Sequence, residues 1–144
     1  MIGPLRPDEE ARVFTNEYFS PVLAVVEVPG TGASFLAAAA AFANERLTGT
    51  LGANVIVPPR TRRSLGAAFD SFIASLRYGT IAINAWTAVG YLTPAAPWGG
   101  YPGARLTAVE SGVGVVVGLH HVDLALDTPE VGIELARGEP TTEP

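Results

Sequence analysis

Several short stretches of this 144-residue chain hold residue types that can do chemistry. Gly30-Thr31-Gly32-Ala33-Ser34-Phe35 starts like the dinucleotide fingerprint Gly-x-Gly-x-x-Gly between a strand-like run and a helical pattern. Phe35 occupies the place of the third glycine, which lets helix and strand approach closely. Asn54 and Val55 stand where an acid is needed about 20 residues on, so the stretch reads as an ordinary turn. His120-His121 is the only histidine pair, with Asp123 nearby. Adjacent strand residues point to opposite faces, so the two histidines do not readily share one metal. Ser111, in Glu110-Ser111-Gly112, lacks the flanking glycines of a nucleophile elbow. Arg60, Arg62 and Arg63 form the one basic cluster, at a loop-to-helix junction, and read as a solvated edge rather than a phosphate grip. By residue type alone Glu17 is a solvated acid beside Glu9 and Glu10. Asn84 ends a strand-like run, where ligand sites of parallel sheets gather. Trp86, Tyr91 and Trp98 lie in the long aromatic stretch that follows, as pocket walls or as the packing core of a loop.

Composition narrows the chemistry further. There is no cysteine, which removes disulfides and thiolate metal sites and fits a cytoplasmic protein. All nine basic residues are arginine, so Schiff-base chemistry and a P-loop lysine are absent. The net charge is −5, and the acids concentrate late in the chain. From Arg105 onward seven acids (Glu110, Asp123, Asp127, Glu130, Glu134, Glu139, Glu143) face two arginines, Arg105 and Arg137. That balance argues against nucleic-acid binding. No apolar run is long enough for a membrane helix, and the first residues lack the apolar core of a signal peptide. Only 16% of residues are charged, low for a soluble monomer, which suggests a surface that meets another chain.

The elements that must position these residues follow from periodicity. Residues 1–13 read as a loop. Val22–Val28 is a nearly all-apolar, β-branched run, the pattern of a strand covered on both faces. Ser34 can cap a helix from Phe35 to about Leu47, closed by Thr48-Gly49. Leu51–Val57 is a second strand. A second helix, capped by Thr61 or Ser64, carries the stripe Leu65, Ala68, Phe69, Phe72, Ile73 and Leu76. Thr80–Asn84 is a third strand. Strand, helix, strand, helix, strand with short links implies parallel strands and right-handed crossovers. Ala85–Gly103, rich in proline, glycine and aromatics, is a long loop of the kind that carries function. Val113–Val117 and Val122–Leu126 are weaker strands, and Gly138–Pro144 reads as frayed.

Four motifs in order resemble the aldehyde dehydrogenase family. Glu17, Phe19, Pro21 and Val22 match its Glu-x-Phe-x-Pro-Val pattern, with Ser20 in place of the usual glycine. Asn44, Leu47 and Gly49 fall where the family has an asparagine and then a leucine ahead of the next strand. Gly79, Ile83 and Asn84 are similar to its Gly-x-(Val/Ile)-x-(Val/Ile)-Asn strand. Pro97, Gly99 and Gly100 match its Pro-Phe-Gly-Gly turn, with Trp98 for phenylalanine; Tyr101-Pro102-Gly103 then replaces the usual lysine and Ser-Gly.

The resemblance implies a fold and a role. The fold expected is α/β: a three-layer, mainly parallel sheet fragment like the C-terminal part of the aldehyde dehydrogenase catalytic domain. It would span residues 14–118, followed by a strand and oligomerisation-type tail at 119–144. Glu17 would accept hydrogen bonds from the nicotinamide ribose of NAD or NADP, as a carboxylate can from a vicinal diol. Phe19 would line the nicotinamide pocket. Asn84, Trp86 and Trp98 would border the aldehyde. In the family the nucleophilic cysteine, the glutamate base and the nucleotide-binding domain come before the Glu-x-Phe segment. The expectation is therefore a segment of an NAD(P)-dependent aldehyde dehydrogenase that is inactive and cofactor-free on its own. Its partners would be the remainder of a longer dehydrogenase or further copies of itself. The alternative is a non-catalytic assembly module.

Overall fold

The β-branched runs become strands because branched side chains fit a pleated, covered surface. A computed structural model describes residues 1–16, 18, 20–92, 99–101, 121–125 and 132–135. Strand β1 (Ile2–Leu5) is followed by a 3-10 turn at Arg12–Phe14, then β2 (Ala24–Glu27). Helix α1 (Gly32–Glu45), β3 (Gly52–Ile56), α2 (Pro59–Leu65), α3 (Ala67–Ser75) and β4 (Thr80–Ile83) come next. The short α4 (Ala88–Tyr91) precedes β5 (His121–Ala125) and β6 (Gly132–Leu135).

All six strands join one sheet in the order β1-β2-β6-β5-β3-β4. β1 is parallel to β2, and β3 is parallel to both β4 and β5. β6 is antiparallel to its neighbours β2 and β5. Two reversals restore the direction, so β2, β3 and β4 all run the same way. The mixed α/β class and the parallel strands expected from the sequence are therefore present, with a single antiparallel strand among the described residues.

The chain steps from β2 to β3 to β4 towards one edge. Right-handed crossovers moving in one direction place their helices on one face. Accordingly α1 and α3 touch each other and share a core with Ala53 and Val55 of β3 and Val57 just past it. Phe35, Leu36, Ala39, Phe42 and Ala43 of α1 meet Phe69 and Phe72 of α3 there. After β4 the chain reverses, and β5 is inserted on the other side of β3. Thr87, just past β4, packs on the opposite face: a Cβ added at Gly52 would touch its side chain. Of the described residues, then, helices α1 and α3 cover one face, and Thr87 lies over the other.

Several expectations need correction. Residues 2–5 form a strand, not a loop; they pair beside β2, where alternation signals are lost among Gly3 and Pro4. The first helix starts at Gly32 rather than Phe35. Ser34 is its third residue, and its hydroxyl bonds back to both the N–H and the C=O of Thr31. The second helix begins earlier, at Pro59, whose fixed φ suits a first turn. It then breaks at Gly66, where φ is 52° and ψ −130°, a conformation that glycine alone adopts without strain. The Leu65–Leu76 stripe looks continuous because the break falls between residues that still face the core. β2 is buried on one face only: Ala24 and Val26 are sealed while Glu27 is exposed. Finally, β5 and β6 sit in the middle of this chain's own sheet, not at an edge set to pair across subunits. Among the described residues, β1 and β4 are the edges. Val113–Val117 and Gly138–Pro144 lie outside the described residues.

Candidate functional site

In open sheets with parallel strands, ligands bind beyond the carboxyl ends of strands where the connections part to opposite faces. Here that point lies between β3 and β4. The chain leaving β3 passes into α2 and α3 on one face, and the chain leaving β4 passes to Thr87 on the other. Asn84, selected from the sequence as a pocket residue, stands at this point.

Asn84 has φ of 52°, the left-handed region that asparagine tolerates better than most residues. This turns its side chain across to β3. Its Oδ1 accepts the N–H of Val57 at 2.7 Å and its Nδ2 donates to the C=O of Val57 at 2.9 Å. Its own N–H donates to Val55 C=O at 2.8 Å. Asn84 thus closes the crevice between the two strand ends with three bonds, two from its side-chain amide and one from its backbone N–H. Asn54, one pair back along β3, is buried and accepts the Thr87 N–H at 3.0 Å. Two asparagines therefore fasten both ends of the turn that carries Trp86.

Trp86 itself is 61% exposed. Ile56 at the end of β3, Val89 and Leu92 are exposed too. Trp86 and Val89 thus stand exposed on a turn whose two ends have polar anchors beneath them. Asn54 and Thr87 were not anticipated as anchors. The signal available was an asparagine inside an otherwise apolar strand run, Leu51–Val57, since a buried polar side chain needs a partner.

Glu17, Phe19 and Trp98 lie outside the described residues. Around the first two, Phe14 is buried with its ring edge-on to Phe42 at 5.1 Å, and its C=O accepts the N–H of Thr48 ahead of β3. Ala24 opens β2. These described flanks stand at the amino ends of the parallel strands, opposite Asn84 and Trp86. Just after Trp98, Tyr101 donates its N–H to the C=O of Thr50, also at the amino end of β3. Thr87, held at Asn54 and packed against Gly52, already carries the chain back along β3 from its carboxyl end. The described residues gather only Asn84 and Trp86 at one end.

The remaining motif residues have packing roles. Asn44 accepts the N–H of Arg77 and donates to Ser75 C=O, both at 2.8 Å, and so ties α1 to the end of α3. The Tyr78 hydroxyl donates to Ala43 C=O beside it. Gly79 must be glycine because the Gly99 carbonyl occupies the space a Cβ would need. Of the decoys, Gly30 and Gly32 do have positive φ, and they form the turn into α1. His121 and Asp123 belong to β5, and His120, like Ser111, lies outside the described residues. No group of three metal-ligating side chains occurs among the described residues, and no described helix is long and apolar enough to cross a membrane.

Comparisons with protein-family models, with curated proteins and with solved structures find no match to this chain.

Proposed function

We propose that this chain is the C-terminal segment of an NAD(P)-dependent aldehyde dehydrogenase, contributing scaffold and pocket wall but no nucleophile. The single observation that supports it best is Asn84. A motif asparagine stands at the carboxyl end of β4, at the switch point of a mainly parallel sheet, with an exposed tryptophan two residues on. The order of the four motifs along the chain agrees with this reading. The chemistry of the complete enzyme would be attack of a cysteine thiolate on an aldehyde, hydride transfer to the nicotinamide, and hydrolysis of the thioester. With no cysteine among its 144 residues, the chain leaves the first step to other polypeptide. Glu17 and Phe19 would serve the cofactor, and Asn84, Trp86 and Trp98 the aldehyde mouth.

A second reading is favoured by one feature. Trp86, Val89 and Leu92 are exposed apolar residues within seven positions of one another after β4, which suits a non-catalytic assembly module. Turnover assays decide between the two. The chain alone gives no nicotinamide reduction with any aldehyde; turnover above a heat-killed control overturns the proposal. The polypeptide encoded with the in-frame DNA upstream of Met1 turns over and is silenced by thiol alkylation. A stop codon and ribosome site directly upstream favour the assembly module instead.

A further inference from the structure

Helix α2 differs from its neighbours in how little holds it down. None of its seven residues is buried, whereas α3 seals Phe69 and Phe72 and α1 seals a whole face. Its last residue, the half-buried Leu65, packs against the core beside the Gly66 break. No side chain caps its first turn, so the amides there lack the partner a cap would supply. A helix this short does not persist alone in water, where about 12–15 residues are the margin. Helix α2 therefore stays helical only while it leans on α3.

Both ends of α2 are pivots. Ahead of it, Val57 is fixed to Asn84 by two side-chain bonds, and the extended Pro58 follows. Behind it, Gly66 at φ 52° and ψ −130° turns the chain into α3. The Arg62 guanidinium reaches across that second pivot and lies over the Phe69 ring at 5.4 Å. The Arg63 Nε donates to Pro59 C=O at 3.1 Å, a bond inside α2 that moves with it. Between α2 and α3 lies a cleft of about 450 Å³, whose lining divides at Gly66: Pro59, Arg62 and Arg63 on one side, Phe69 and Asp70 on the other. We propose that α2 is a hinged flap: it lifts from α3 and melts as one unit between Pro58 and Gly66 while α1 and the sheet stay folded. Segments with few buried contacts occupy the low-stability end of a fold, and lids are drawn from that end. Lifting parts Arg62 from Phe69 and opens the cleft. The first pivot adjoins the Asn84 clamp, so the movement takes place beside the switch point without breaking it. The flap does not depend on the dehydrogenase reading, because each contact that defines it is internal to the chain.

Native-state hydrogen exchange on the intact chain tests it, with urea raised in steps below the unfolding midpoint. The amides of Arg63, Ser64 and Leu65 exchange through one shared opening, about a hundredfold or more less protected than those of Ala39, Ala40 and Phe42 in α1. That opening is nearly indifferent to urea, because the slope follows the surface exposed, while exchange in α1 steepens with global unfolding. Arg62→Ala accelerates all three α2 amides by a common factor of about two to five, the worth of an exposed cation–π contact. Val26→Ala, in the sealed core away from α2, accelerates α1 about tenfold or more and leaves the α2 amides unchanged. Protection and urea slopes in α2 equal to those of α1 overturn the proposal. So do rates graded from one end of α2, which mean fraying, or α2 amides that follow Val26→Ala. The urea series needs no variant, so it decides the matter even where a substitution costs the fold.

Discussion

Replacing Asn84 with alanine tests whether the switch point is built as described. Two side-chain bonds to Val57 disappear, at 2.7 and 2.9 Å. Each is worth about 1 kcal/mol net, so their loss costs about 2 kcal/mol. Alanine must also hold φ near 52°, which adds about 1 kcal/mol. The expected destabilisation is about 3 kcal/mol, a drop of about 1–3 M in the urea midpoint for a slope of about 1–3 kcal/mol/M. Glycine at the same position supplies the needed contrast. It loses the same two bonds but accepts positive φ freely, against about 0.4–1 kcal/mol of extra unfolded-state entropy. Asn84→Gly is therefore expected to be as stable as Asn84→Ala or better by up to about 1 kcal/mol, although in a regular strand glycine would be the worse choice. Urea unfolding followed by tryptophan fluorescence measures both. If Asn84→Ala costs under about 0.5 kcal/mol, a value ordinary for a surface substitution, the clamp is not what holds the strand ends. If glycine proves clearly worse than alanine, the left-handed turn is wrong.

Three further substitutions separate other terms. Gly66→Ala places a Cβ in open space, so its cost is backbone strain alone, about 1–2 kcal/mol on thermal unfolding; a neutral result would mean that α2 and α3 are one helix. Gly79→Ala instead forces the Gly99 carbonyl away, and should release the Tyr101–Thr50 bonds, seen as faster amide exchange at Tyr101 while α1 stays protected. Asn54→Ala removes the acceptor of the buried Thr87 N–H, at a cost of about 1–3 kcal/mol; amide exchange should accelerate at Thr87, and unchanged exchange there would refute the anchoring role.

Much of the fold is legible in the chain because burial dictates residue type. Val26, Val55 and Val57 are sealed in the core, and their β-branched runs announce strands. The α1 spacing of Phe35, Leu36, Ala39, Phe42 and Ala43 names the buried face before any coordinate does. What is not legible is pairing. β5 and β6 enter between β2 and β3, and nothing local to His121–Ala125 or Gly132–Leu135 specifies neighbours about 70–110 residues earlier. β1 fails for another reason: its contacts with β2 come from chain direction and register, while Gly3 and Pro4 erase the alternation that marks a strand. The break at Gly66 is visible in the sequence only as an isolated glycine, which a helix tolerates at about 1 kcal/mol.

The motif residues teach a sharper lesson about function. Asn44 joins α1 to the end of α3, Asn84 joins β4 to β3, and Gly79 makes room for Gly99. Each has a full structural reason to be what it is, so none of them by itself demands a ligand. Trp86 is the opposite case. Its indole is mostly in solvent, and the turn beneath it is already fastened by Asn54 and Asn84 without its help. A large exposed aromatic on a rigid mount contributes little to the fold and much to a contact, because its immobilised backbone leaves few degrees of freedom to lose. Asn84 thus marks the switch point and, with Asn54, holds up the turn on which Trp86 is free to make a contact.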